Sequence, residues 1–222
     1  MKLSETTQNL IKNFSTINKS LLVREGTTLT TISPSKSIYA KAKVSEDFPK
    51  RCAIYELNRF LGAYSLFEDP NIEFQDNQLA ITDGKHTVQY TYASENAIVA
   101  PPEKDIKIPS EDITFKLPAS EFSGLIRAAN VLSLKNVVVT NEDGEFKVSA
   151  RDHKNPNSDE YSANVTEYTS DSSSFSIIFS VENLMKLLVK DYTVTIASAG
   201  ISRFESPEVT YFVALENDSE FQ

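Results

Sequence analysis

The chain has a single cysteine, Cys52, so no internal disulfide can form and the core must close by apolar burial alone, a usage that suits a reducing cytoplasm. Its neighbours Ala53 and Ile54 make Cys52 read as a small core residue rather than a nucleophile. Histidine is nearly as scarce, with two copies: His86 lies in a strand-like run beside the Asp83-Gly84 turn, and His153 follows Arg151-Asp152 at a polar strand end. Asp159 and Glu160 near His153 make a metal conceivable, but nothing fixes that cluster in coordination geometry. Walker A, GxGxxG and GxSxG motifs are missing as well. No catalytic residue, metal or cofactor is therefore expected. No apolar run approaches the ~20 residues that span a bilayer, and MKLSETTQNL turns polar after three residues, unlike a secretory signal. Nor is there an excess of positive charge. With 31 acidic against 22 basic residues, a net charge of -9, the chain cannot coat nucleic acid with its whole surface. It can touch DNA only if its cations are gathered on one face.

What is present is a repeat. Residues 4–17 predict a helix with Ser4 as N-cap, Glu5 in the first turn and an apolar stripe of Leu10, Ile11, Phe14 and Ile17. Its polar side reads Gln8, Lys12, Ser15, Lys19. The period then changes to two: strands are expected at 21–32 and 36–44, with a turn at 33–35, and at 51–55. A short helix over 56–66 carries Leu57, Phe60, Leu61 and Tyr64 on its core face and Arg59 on the other, ending before Pro70. Strands at 72–75, 78–82 and 86–92 follow. Residues 93–112, with Pro101, Pro102 and Pro109, read as extended.

Beyond them the pattern restarts. A helix capped by Ser120 runs to Leu132, with Phe122, Leu125, Ile126 and Ala129 inward and Ser123, Arg127 and Asn130 outward. Strands are expected at 136–141, 145–151 and 160–166, the first two joined by Asp143-Gly144. After a serine-rich loop at 169–174 come the strand FSIIF, a helix over 181–189, strands at 191–197, 201–205 and 208–215, and a frayed tail. The first helices match from Leu10 to Leu125, an offset of 115; the second match from Leu57 to Leu184, an offset of 127, which also aligns Arg59 with Lys186. The reading is α+β: two similar domains, 1–100 and 113–222, joined by a connector at 101–112, each with two helices packed on antiparallel β-sheet. The helices' polar sides hold Lys12, Lys19, Arg59, Arg127, Lys186 and Lys190, with Lys135 just after the third helix. If they line one concave surface, they make a positive strip in an acidic body.

The stretches MKLSETTQNLIKNFSTIN, CAIYELNRFLGAYSL, AIVAPPEKDIKIP and YFVALENDSEFQ, in this order along the whole chain, resemble the sliding clamps of T-even-type phages, the processivity factors of their replicative DNA polymerases. The resemblance implies a non-enzymatic homotrimeric ring with duplex DNA in its central hole and the sheets as its outer wall. It further implies loading by an ATP-dependent clamp loader and a role in phage replication and late transcription in the infected host's cytoplasm. The family's inward cations carry over to Lys12, Arg127 and Lys186, and by position to Arg59; Lys19, Lys135 and Lys190 are weaker candidates. Two departures thin that lining: Glu5 and Asn130 stand where the family commonly has a lysine and an arginine. A polymerase peptide is expected near the connector, where Ile98, Val99, Ile106 and Ile108 are unusually apolar for a linker; anchoring of the connector would explain them equally well. The competing reading is an acidic oligomeric binding or structural module, including a single-stranded nucleic-acid binder.

Overall fold

Ser4 is extended and its hydroxyl accepts from the Thr7 amide at 3.2 Å, so the chain enters helix α1 (Glu5–Ile17) where the sequence signals it. In the computed structural model, which describes residues 1–142, 145–170 and 174–221, Leu10, Ile11, Phe14 and Ile17 are all buried. The chain divides into two units, Met1–Lys104 and Asp105–Gln222.

In the N-terminal unit the expected strand 21–32 is two: β1 (Leu21–Val23) and β2 (Gly26–Ile32). Gly26 separates them with φ 101, a conformation that side-chain-bearing residues rarely adopt. β3 (Ile38–Phe48) reaches four residues further than its apolar pattern suggests, and its register against β2 shifts between Gly26 and Thr28. β4 (Cys52–Ile54) pairs antiparallel with β1. Helix α2 (Leu57–Tyr64) follows, burying Leu57, Phe60 and Tyr64 and packing beside α1. β5 (Asn71–Phe74), β6 (Gln78–Thr82) and β7 (Thr87–Thr91) form an antiparallel meander. Its second turn is closed by the Asp83 carboxylate, which accepts from the Lys85 and His86 amides at 2.8 and 2.6 Å.

The C-terminal unit opens with a strand that periodicity leaves unassigned, β8 (Ile113–Leu117). Helix α3 (Ala119–Val131) begins one residue before Ser120, so that serine is not its cap; Pro118 holds the cap position and the Ala119 amide donates to Asp191 Oδ1 at 2.8 Å. β9 (Asn136–Glu142), β10 (Glu145–Arg151), β11 (Tyr161–Asn164), β12 (Tyr168–Ser170) and β13 (Phe175–Ser180) follow. The Asp143-Gly144 turn and residues 171–173 of the serine-rich loop lie outside the described residues, while 168–170 are strand rather than loop. Helix α4 (Val181–Leu184) is a single turn, not the nine residues expected. Beyond it the chain continues in tighter turns, with Lys186 N–H donating to Asn183 O and Leu187 N–H to Leu184 O. β14 (Tyr192–Ala197), β15 (Ile201–Glu205) and β16 (Val209–Ala214) complete the repeat. The tail is not frayed: β17 (Glu220–Phe221) pairs with β13, and the Glu216 amide donates to Ile178 O at 2.8 Å.

Antiparallel pairing orders the C-terminal unit as β11-β10-β9-β13-β17 and β12-β8-β14-β15-β16. Phe179 of the first sheet meets Phe204 of the second at 5.6 Å between ring centroids, and Tyr192 joins Phe204 to Phe122 of α3. α3 packs on β10 and β11 beside α4, as α1 packs on β2 and β3 beside α2. Each unit therefore holds its two helices side by side with their apolar faces against sheet.

Candidate nucleic-acid interface

Both longer helices are held at their N-termini by carboxylates from elsewhere in the fold. Glu46 of β3, buried, accepts from the Ser4 amide and the Thr7 hydroxyl at 2.5 Å each and from the Ser45 hydroxyl at 3.1 Å. Burial alone would raise its pKa, but the hydrogen bonds from Thr7 and Ser4 outweigh it and hold the carboxyl below its ordinary value. Asp191 plays the matching part at Ala119 of α3. A negative group at a helix N-terminus also complements the helix dipole, so the helices that carry the cations are fixed from their starting turns.

Lys12 stands exposed in the middle of α1, Arg59 exposed on α2 and Arg127 exposed on α3. None of the three forms an ion pair among the described residues. The four lysines behave differently. Lys19 and Lys135 lie after the first helix of their units, and the main-chain carbonyl of each anchors the second helix: Leu57 N–H donates to Lys19 O at 2.7 Å and Val181 N–H to Lys135 O at 2.9 Å. Lys135 Nζ pairs with Asp152 at 3.5 Å, Lys186 with Glu182 at 3.6 Å, and Lys190 with Glu208. Lys19 instead sets its ammonium 4.9 Å from the ring centroid of Tyr55. Lys186 lies past the helix in which the repeat placed it. Glu5 and Asn130 are both exposed on α1 and α3. Among the described residues, Lys12, Lys19 and Arg59 of the N-terminal unit form no ion pair, whereas Lys135, Lys186 and Lys190 of the C-terminal unit all do. Sequence reading missed Tyr55, because a tyrosine ending a strand-like run looks like a core residue; nothing local marks it as half exposed.

The four apolar connector residues separate in the same way. Val99 is exposed while Ile98 is half-buried, and the Val99 carbonyl accepts from Asn18 Nδ2 at 2.8 Å. Arg24 donates to Pro101 O, and Arg51 grips Glu95 and Glu103 at 2.7 and 2.9 Å. The Arg51 hydrogen bonds hold both carboxyls below the usual carboxylate range. Ile106 and Ile108, in the C-terminal unit, are half-buried.

His153 directs its ring nitrogens at Asn136 Oδ1 and Asp218 Oδ2, at 2.9 and 3.0 Å, rather than at Asp159 or Glu160. Among the described residues no three His, Cys, Asp or Glu side chains form a group that could hold a metal, and no helix is long and apolar enough to cross a membrane.

Residues 2–100 match the family of the DNA polymerase processivity factor, and residues 114–217 match the gp45 sliding clamp, C terminal. The sliding clamp of Escherichia phage RB69 is 30% identical over 227 residues, covering 99% of this chain and 98% of that protein. That of Vibrio phage KVP40 is 30% identical over 222 residues, covering 97% and 99%. In fold, the chain is similar to A. fulgidus PCNA solved with the C-terminal region of FEN-1 bound, with a TM-score of 0.69 at 15% identity over 99% of this chain and 98% of that one. Full-length likeness to named clamps, matching family models for both halves and two helix-on-sheet units together mean that this chain belongs to the sliding clamps, the DNA polymerase processivity factors.

Proposed function

We propose that three copies of the chain close into a ring around duplex DNA, with Lys12, Arg59 and Arg127 facing the phosphates and Lys19, Lys135, Lys186 and Lys190 as lesser contacts. One observation carries the assignment: the first three stand exposed on the helices' outer sides with no carboxylate partner among the described residues. A sliding contact needs few charges. Phosphate contacts carry no sequence information and exchange with counterions, so a trapped ring can move along the duplex. A net charge of -9 per chain keeps stray DNA off the rest of the surface. The ring is non-enzymatic, acts in the cytoplasm and depends on an ATP-dependent loader for entry. A hydrophobic peptide of the replicative polymerase docks near the connector, and Val99 is the best placed of the four candidates because its side chain is exposed while its main chain is tied down.

The test is Lys12→Glu with Arg127→Glu. Light scattering should still give three times the 24.8 kDa of one chain, while loader-dependent processivity of the cognate polymerase falls. A trimer with undiminished processivity would remove both residues from the lining, and a concentration-independent monomer would remove the ring. For the peptide site, unchanged affinity for the polymerase tail in Ile106→Ala with Ile108→Ala would leave those two residues as connector anchors.

A further inference from the structure

The lysine that follows the first helix is held in two different ways in the two units. Lys135 meets a carboxylate, Asp152, which cancels its charge locally. Lys19 forms no ion pair among the described residues, and its ammonium lies over the face of Tyr55, 4.9 Å from the ring centroid. An aromatic face attracts a cation without neutralising it. Lys19 therefore keeps its full positive charge while losing much of the side-chain freedom that an exposed lysine would otherwise surrender on meeting a phosphate.

The backbone makes the pair a built one. Lys19 O accepts from Leu57 N–H at 2.7 Å, two residues beyond Tyr55, so the main chains carrying the ammonium and the ring are tied to each other. Tyr55 is 47% exposed, against 4% for Cys52 at the other end of the strand that leads into it. The Tyr55 hydroxyl has no hydrogen-bond partner among the described residues, so the ring is not held in place by its polar end. Arg59 stands exposed one turn further along.

We infer that Tyr55 is a positioning residue for the DNA contact, a π-platform that presents Lys19 to a duplex phosphate, and that Lys19 is consequently a stronger contact than its counterpart Lys135. The inference rests on the reading of the helical face as the DNA-facing side. It extends that reading to a residue with no charge of its own.

The experiment titrates a short, blunt-ended fluorescent duplex, which a ring can thread without a loader, with the full-length protein across a salt series. Lys19→Ala should weaken binding and reduce the slope of log K against log salt by about one, more than Lys135→Ala does. Tyr55→Leu, which leaves every charge in place, should weaken binding about two- to fivefold. Tyr55→Phe should retain the wild-type value. In a Lys19→Ala background, Tyr55→Leu should have no further effect, an outcome that a merely structural role for the ring would not produce. Three results overturn the inference. If Tyr55→Leu binds like wild type while Lys12→Ala and Arg127→Ala bind more weakly, the platform fails and the ring reading stands. If Tyr55→Phe falls as far as Tyr55→Leu, the hydroxyl and not the ring is responsible. If none of the cation variants changes binding, the helical face is not the DNA-facing side, and the platform falls with it.

Discussion

The Tyr161 hydroxyl lies 2.8 Å from the point where a Cβ on Gly124 would stand, so the edge strand β11 rests a tyrosine on helix α3 at the one position of that helix without a side chain. Alanine is worth about 1 kcal/mol over glycine inside a helix. Here that gain competes with displacement of the ring. Gly124→Ala should therefore add less to the unfolding free energy in the wild-type background than in Tyr161→Phe, where the hydroxyl is gone and the full ~1 kcal/mol is expected. Chemical denaturation of the four variants measures the difference; equal gains in both backgrounds would show that Tyr161 does not constrain Gly124.

Glu46 ties β3 to the first turn of α1 through two hydrogen bonds, from the Ser4 amide and the Thr7 hydroxyl. Glu46→Gln leaves one fewer acceptor for donors already buried, at a cost of about 1–2 kcal/mol near neutral pH. The sign of the pH effect follows from a folded-state pKa that lies below the unfolded one. The carboxylate's contribution is complete above the unfolded value and is lost as pH falls through the folded one. The gap between wild type and Glu46→Gln should accordingly narrow on acidification. A gap that widens would contradict the assignment.

Cys52 is buried, and that burial pushes its thiol up to about 12. A maleimide at mildly alkaline pH should leave native protein unlabelled and label it fully once unfolded. Rapid labelling of the native state would mean that β4 opens far more readily than its packing indicates.

Arg51 bridges Glu95 and Glu103 at the surface, where ion pairs contribute little to global stability. Arg51→Ala should leave the melting temperature nearly unchanged while speeding amide hydrogen exchange across residues 95–103. High salt should have the same effect on wild type. A large drop in melting temperature would place the bridge among the interactions that hold the core.

In the N-terminal unit, Arg59 is unpaired among the described residues, whereas Lys190 of the C-terminal unit is occupied by Glu208. Charge reversal at Arg59 should cost more duplex affinity at low salt than reversal at Lys190. The reverse order would mean that the carboxylate partners of the C-terminal unit yield to DNA.

How far the fold was legible depended on how local its causes were. α1 could be read to the residue, because a serine cap and a 3.6-residue apolar stripe act within one helix. The second helix of the C-terminal unit could not. Val181, Leu184 and Leu187 have helical spacing and are all buried, yet that burial is met by a single helical turn followed by tighter ones. β8 went unassigned because its pattern, buried at Ile113, Phe115 and Leu117, is too short to stand out beside a proline-rich segment.

The sequence by itself determined the kinds of residue available: two apolar-faced helix pairs, cations at repeating positions, one inert cysteine, no catalytic motif, and an acidic total that leaves room for only a local positive face. Tertiary structure decided which of those cations face a carboxylate from another segment. Lys135 and Lys190 meet carboxylates 17 and 18 positions away and Lys19 an aromatic ring 36 positions away, whereas only Lys186 pairs locally, with Glu182 four residues back. The reason is physical. Periodicity follows from the geometry of a single element, but the field at an exposed ammonium depends on whatever other segments the fold sets within a few ångströms of it.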